Sequence, residues 1–438
     1  MFCKCSVNYP FLQIIFIFIR QLEMMTELIR RCFQEIAEEN IPYLSQWYMD
    51  KPAVITDAGY NKLKRLQTIL YRAICQFVEN YEKYESIFYL DQKARKIVEI
   101  CNEGKPGLPK NIYRPGTYRP DILFDTDGSL KICEIGGRFP LNGYLASGFS
   151  ELIGMERFLK KESQLKKRAE YLRFLTALFD YWSPLVTNSS LPGRITVLKG
   201  VDRPCDIKYY IPFFRKLGIE VISLSPSEFE ANPNIIENSA VINEFNQMEI
   251  ESLSEHSIEI LAQSNALNDL RTIFLIHDKR FLAILCDDEF QREFLDNSER
   301  EFFSGYLIPT YTYLQADFIE KARHEKEQWL LKHSLLGKSE KVYAGVHCSA
   351  SEWEELYSSG SVRDMVLQPY IKQRRVKASI GDNHFCDYVT GTLLCLDNNF
   401  FGTGLFRTSS FEITNRKDDR KIAQCYSESY IYNYDFIV

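Results

Sequence analysis

The chain is poor in histidine, with six dispersed residues in 438, and none of its twelve cysteines forms a C-x-x-C pair. That combination argues against a structural zinc site. Apart from Cys3 and Cys5 the cysteines stand singly, which reads as reduced, buried thiols of a cytoplasmic protein and not as a disulfide framework. The G-x-G-x-x-G fingerprint is missing, so a dinucleotide is not favoured. Charge of one sign is missing too. With 53 basic and 59 acidic residues the net charge is −6, which leaves no basic field for nucleic acid or an acidic membrane. No apolar run is long enough to span a bilayer. The longest, YPFLQIIFIFI, offers about ten apolar residues, and no small-residue cleavage site follows it. Stable membrane insertion is therefore not expected, and the folded part is expected to begin near Met24 or Met25. Low-complexity tracts and internal repeats are absent.

What is present is an ordinary globular composition, 45% hydrophobic with 30 Phe and 26 Tyr. The length implies two or three domains. After an apolar extension at 1–24, residues 25–115 read as helical. Leu28, Ile29, Cys32, Phe33 and Ile36 form one 3.6-residue stripe, and Leu63, Leu66, Ile69, Leu70, Ile74 and Phe77 form another. Residues 116–160 hold a hairpin. Residues 161–265 alternate strand, helix and strand (ITVLKG, DIKYYIPFFRKLG, IEVISL, SAVINEF), the pattern of a small Rossmann-like parallel unit. Residues 266–438 are mixed α/β, with RTIFLI reading as a strand-like lead into a helix.

The stretch YRPDILFDTDGSLKICEIGGRFP is the first concentration of chemistry. DTDG is a turn by composition. Pairing Asp125 with Gly128 sets Arg119 opposite Glu134, with Asp121 on the same face. Two carboxylates and a guanidinium in one patch fit either a solvated ion pair or a Mg²⁺ site, since Mg²⁺ takes one or two carboxylates and completes its shell with water and phosphate oxygens. The second concentration is WLLKHSLLGKSEKVYAG. Lys332 lies near the end of an apolar strand, and Gly337, Lys338 and Ser339 form a loop able to fold over a triphosphate. Upstream, Lys279 stands at a helix start. Downstream, VLQPYI is a buried strand running into a hinge at Gln368, Pro369, Tyr370 and Ile371, whose backbone groups can meet an adenine edge. Arg407, in GTGLFRTSS, is a candidate anion contact. Arg138 and Arg203 are equally open to a structural role, and His277 and His333 read as structural.

This order of parts resembles the circularly permuted ATP-grasp superfamily, which includes glutathionylspermidine synthase-like proteins and eukaryotic-type glutathione synthetases. In that group a strand with R-x-D precedes one with E-x-N, ahead of the nucleotide lid. Arg119-Pro-Asp121 and Glu134-Ile-Gly136 occupy those places here. The resemblance implies an ATP-grasp fold of the mixed α/β class, with a Rossmann-like substrate domain and an N-terminal helical segment. It implies Asp121 and Glu134 as Mg²⁺ ligands, and Arg119 as a contact to the transferring phosphate or a substrate carboxylate. It further implies Lys279 and Lys332 on the ATP phosphates, Lys338 and Ser339 in the lid, and Gln368–Ile371 at the adenine. Gly136 departs from the pattern, since it stands where the family carries asparagine; Asn142 or water would have to substitute. The expected activity is an ATP- and Mg²⁺-dependent carboxylate–amine ligase acting through an acylphosphate. A nucleotide-binding pseudoenzyme and a small-molecule kinase are the rival expectations. The partners implied are a small-molecule carboxylate and an amine. Their identities and the oligomeric state are not legible.

Overall fold

The computed structural model describes residues 9–103, 112–159, 163–182, 191–204, 206–337, 339–414, 420–429 and 436–438, with side chains from Glu23 onward. Four sheets organise the chain. The largest has seven strands and is assembled from distant parts of the sequence. The hairpin strands Thr117–Phe124 and Leu130–Gly136 join the long strand Asn383–Leu396, which also pairs with Arg375–Ile380, Asn399–Thr403 and Phe406–Ser409. The hairpin and the carboxy-terminal strands are thus one layer.

A four-stranded parallel sheet, in the order Glu220–Leu224, Arg194–Leu198, Ala240–Asn243, Ala266–Leu267, forms the Rossmann-like unit. Its two inner strands are buried almost throughout because both faces are covered, while the edge strand Glu220–Leu224 is partly exposed. One face packs on the helices Ile207–Lys216 and Glu170–Tyr181 and on the stripe Ile29, Cys32, Phe33 and Ile36. The long amino-terminal helix, Tyr9–Leu44, therefore belongs to this layer by packing, and its backbone runs unbroken through Met24 and Met25. Among the described residues no helix is long and apolar enough to cross a membrane.

The second helical stripe, on Asp57–Asn80, behaves as its periodicity predicts. Leu63, Leu66, Ile69, Leu70, Ile74 and Phe77 are all buried in the main core. The helix starts where Thr56 accepts a hydrogen bond from the Gly59 amide at 3.0 Å, an amino-terminal cap. The region is not wholly helical: Ala53–Thr56 is a strand, paired in parallel with Gln424–Ser427. Nor is RTIFLI a strand. Thr272–Ile276 forms a π-helical turn, fully buried, so its continuous apolar character reflects burial on every side rather than sheet pairing.

The fourth sheet is antiparallel, in the order Val342–Ala344, Trp329–His333, Met365–Pro369, Tyr311–Thr312. It has its own small core of Trp329, Leu331, Trp353, Leu356, Met365 and Leu367. Helix Ala350–Ser358 closes that core behind a capping box between Ser349 and Glu352.

Candidate active site

The hairpin turns at Thr126, Asp127 and Gly128, with Gly128 at a φ of +85° that suits glycine. Asp125 faces Ser129 across this turn, its amide reaching the Ser129 carbonyl at 2.9 Å. The register therefore differs from the expected one. Asp121, not Arg119, lies opposite Glu134, and Arg119 lies opposite Gly136. A register shift between Asp121 and Ile122 leaves Cys133 as an extra residue on the second strand. This bulge has a consequence for chemistry. Ile132 faces the core opposite Ile122, so strict alternation would also turn Glu134 inward; the inserted residue returns Glu134 to the face of Asp121. Thr390 pairs with both Leu123 and Arg407, so Arg407 shares that face from two strands away.

The lysines come to the same place. Lys279 lies two residues ahead of helix Phe281–Leu285. Its ammonium donates to the Leu336 carbonyl of the lid loop at 2.7 Å and lies 3.5 Å from the Glu134 carboxylate. Lys332, on the lid strand, donates to the Cys133 carbonyl at 3.3 Å. Burial, then the adjacent Glu134, pushes the Asp121 carboxyl up to about 7, against the pull of Arg119, Arg407 and Lys279. Burial acts on Glu134 as well, but Lys279 and Lys332 outweigh it and hold that carboxyl below its ordinary range. Two facing carboxyls are thus pushed in opposite directions, Asp121 up and Glu134 down. Among the described residues none donates a hydrogen bond to the Asp121 carboxylate, a vacancy in its bonding that suits a cation. No cluster of three or more His, Cys, Asp or Glu exists among the described residues. The carboxylate pair is the donor set Mg²⁺ accepts alongside phosphate oxygens and water.

Arg119 donates to the carbonyls of Asn142 at 2.5 Å and Phe139 at 3.2 Å. Its guanidinium fills the space beside Gly136, where an added Cβ would stand 3.2 Å from Nη2. His277 was read from sequence as structural, yet it borders the site. Its Nδ1 accepts from the Gly137 amide at 3.3 Å. Burial, then Lys279 and Arg138, pushes its imidazole down to about 3, so it is neutral at physiological pH.

A cleft of about 390 Å³ opens beside Lys332, lined by Leu123, Ile308, Leu330, Gln368, Tyr370 and Ile371. The expected hinge residues all lie on it, Pro369 included. The Tyr370 amide is already bonded to the Gln328 carbonyl at 2.7 Å, and the Gln368 side chain donates to Thr310 at 2.9 Å. Gln368 is held in the sheet ladder opposite Leu330, and the Ile371 amide, just past the strand, has no backbone partner among the described residues. The Tyr370 hydroxyl and His347 both bind Glu412 at the cleft wall. Ser339 stands in the lid loop with a left-handed backbone, φ +62°; Lys338 lies outside the described residues. A larger hollow of about 520 Å³, lined by Arg114, Tyr181, Asn265 and Asp269 among others, contains none of these carboxylates or lysines.

The parallel sheet is pinned to this centre by Asn268, which follows its last strand. Its amide oxygen accepts from the Thr117 amide at 2.7 Å and its nitrogen donates to the Gly137 carbonyl at 2.8 Å, bracketing both hairpin strands. Asp206, ahead of helix Ile207–Lys216, accepts from the Gly143 and Ala146 amides at 3.0 Å each. The carboxyl ends of the parallel strands therefore face the hairpin, the edge at which open α/β sheets bind ligands.

The fold is similar to that of a solved structure, a glutathione synthetase-like effector from Globodera pallida, over 93% of this chain and 97% of that one, at a TM-score of 0.53 and 12% identity. The fold is that of a glutathione synthetase-like protein. The hairpin precedes the four-stranded antiparallel sheet along the chain. The chain is also similar to the ATP-grasp enzyme ankG of Aspergillus thermomutatus, 23% identical over 85% of this chain and 88% of that protein. The family described as the AnkG N-terminal domain matches residues 66–275. That match spans the hairpin and the parallel sheet and ends at residue 275, ahead of Lys279 and of the strand that carries Lys332.

Proposed function

We propose that this protein is an ATP- and Mg²⁺-dependent carboxylate–amine ligase acting on a small molecule or peptide. The observation that carries the reading is the convergence of Lys279 and Lys332 on the hairpin that bears Asp121 and Glu134. In the proposed reaction a substrate carboxylate oxygen attacks the γ-phosphorus of ATP, and ADP leaves. The resulting acylphosphate is attacked at its carbonyl carbon by an amine. Phosphate departs with the bonding pair, the nitrogen loses its proton to solvent, and an amide remains. The Lys279 and Lys332 ammonium groups offset charge on the phosphate oxygens, which is most of what phosphoryl transfer asks of a protein. Arg119, held against two backbone carbonyls, and Arg407, on the same face, orient the substrate carboxylate. Asp121 and Glu134 would hold Mg²⁺, which when bound supplies further charge neutralisation at the phosphates. The apolar walls at Leu123, Ile308 and Leu330 would take the adenine.

The test is ADP release screened over amino acids, small peptides and polyamines, with product analysis for amide against phosphate ester. Glu134→Gln is expected to abolish substrate-dependent ADP release while the circular dichroism spectrum stays native. Unchanged turnover would refute the metal assignment, and a phosphate ester would reassign the chain as a small-molecule kinase. One observation favours a second reading, a nucleotide binder without turnover: the position of the family's asparagine is Gly136, and Arg119 has moved into that space. ATP binding without ADP release on the whole panel would select it.

A further inference from the structure

The carboxyl end of the parallel sheet holds a group that the fold does not satisfy. Glu244 directly follows the strand Ala240–Asn243 and is 1% exposed, yet neither of its carboxylate oxygens has a hydrogen-bond partner among the described residues. The amide nitrogen of Asn243, wholly buried beside it in sequence, is likewise without one. A buried carboxylate with no donor costs several kcal/mol whichever form it takes: ionised it lacks a counter-charge, and neutral it still leaves oxygens unpaired. Native interiors rarely carry such a group without a role for it. Three charged neighbours bear on it, Lys199, Arg138 and Asp206, and none supplies the missing bond. Arg138 is committed to Asp202 through Nη2, 2.5 Å from that carboxylate, and its buried Nε, itself without a partner among the described residues, does not bond Glu244. Lys199 is exposed, and Asp206 is itself an acceptor of two backbone amides.

The surroundings indicate what fits. Two large apolar side chains stand in solvent on the segments flanking Glu244: Val201, 80% exposed on the loop after Arg194–Leu198, and Met248, 70% exposed on the short helix Gln247–Glu251. Glu249 of that helix holds the two segments together by accepting from the Val201 amide at 2.7 Å and the Asn246 amide at 2.8 Å. We infer that Glu244 is the recognition carboxylate for a protonated amino group on the substrate, with Val201 and Met248 at the rim against its apolar part. An ammonium supplies the hydrogen-bond donors that the protein withholds, whereas a second carboxylate would be repelled. This inference rests on the ligase reading only for the name of the ligand, an amine or an amino acid. The site itself is defined by residues the nucleotide does not touch.

Calorimetry of the full chain tests it with three probes: n-butylamine, β-alanine and propionate. Burial pushes the Glu244 carboxyl up to about 8, so at pH 7 the free protein carries a proton there that a bound cation displaces. The expected result is binding of an amino-bearing probe with release of about one proton, read from the difference in heat between phosphate and HEPES buffers. Propionate is expected to give no such release. Glu244→Gln should weaken that probe by about tenfold or more and remove the proton release. Butylamine binding assigns the amino group to the amine substrate; binding of β-alanine alone assigns it to an amino-acid substrate. Equal affinity in wild type and Glu244→Gln, binding without proton release, or no binding of either amino probe to wild type would overturn the inference. Titration with ADP in the same samples separates the two readings. Wild type that binds the amine but not ADP loses the ligase proposal and keeps this site, and the wild-type proton release stands even if the variant fails to fold.

Discussion

On the lid side of the hairpin, Lys279 reaches the Leu336 carbonyl and Glu134, Lys332 reaches the Cys133 carbonyl, and Gln368 reaches Thr310. On the parallel-sheet side, the Glu244 carboxylate, the Asn243 amide nitrogen and the Arg138 Nε reach nothing among the described residues. Both regions are buried and both border the same hairpin, so the contrast is not one of depth. It is a contrast of charged groups: those on the lid side are already aimed by protein partners, whereas the Glu244 carboxylate is left for an occupant. Neutral atoms such as Trp329 Nε1 and Thr312 Oγ1 are unpaired on the lid side too, among the described residues. Preorganised charge suits a ligand met in every turnover and always alike, such as a triphosphate. Unfilled valence suits discrimination, because a site that must hydrogen-bond its ligand rejects analogues lacking the group.

The strongest way to break this contrast is to remove charge from the satisfied side. Lys279→Met leaves Glu134 facing Asp121 with its nearest cation gone. ADP release is expected to fall at least about a thousandfold, in line with the loss of charges aimed at transferring phosphate. The free protein is expected to lose about 3 kcal/mol in urea unfolding, the scale for breaking a buried pair from one side. Retained turnover in this variant would show that the lid side is not where phosphates sit.

The unsatisfied side gives a smaller effect with a distinctive sign. The Glu244 carboxyl rises in the folded state from 4.5 to about 8, so the folded protein binds the extra proton between those values. Stability is therefore lost as pH rises through that window. Glu244→Gln removes that loss, and its stability relative to wild type should climb from pH 5 to pH 8 by about 3 kcal/mol. His277 works oppositely. Its imidazole falls in the folded state from 6.5 to about 3, so the unfolded chain takes up protons first and stability is lost as pH drops below 6.5. His277→Asn should flatten the acid limb and leave the alkaline limb unchanged. Melting temperatures of the three proteins across pH 4–9 check both slopes, and parallel curves would show that neither group titrates as its surroundings dictate.

Much of the satisfied side was legible in the sequence, and little of the other. Asp121 and Arg119 were placed on one face by alternation alone, and alternation survives any register. Glu134 was placed there by a wrong register; a bulge at Cys133, which no periodicity reveals, restored it to that face. The strand that carries Lys332 and the one that runs into Gln368 announced themselves by local pattern, the kind of signal that tertiary packing seldom overrides. His277 and Glu244 escaped because burial without a partner is a tertiary property. A trace existed all the same: in SAVINEF, Asn243 and Glu244 interrupt an otherwise apolar buried strand, and polar residues in such a run need a reason.

The smallest expected effect bears on the departure at Gly136. A Cβ there would stand 3.2 Å from the Arg119 guanidinium, the far end of a flexible side chain, so Gly136→Asn should cost only about 1 kcal/mol as Arg119 gives way. Its functional sign is the sharper datum. If Arg119 orients the substrate carboxylate from its anchorage on Phe139 and Asn142, displacing it should lower substrate-dependent ADP release while ATP affinity holds. A rise would mean that the asparagine restores a ligand the hairpin lacks, and that Arg119 occupies the position without serving it. The two outcomes separate an altered ligase from a weakened one, because the same side chain cannot both complete the metal shell and leave Arg119 where the structure has it.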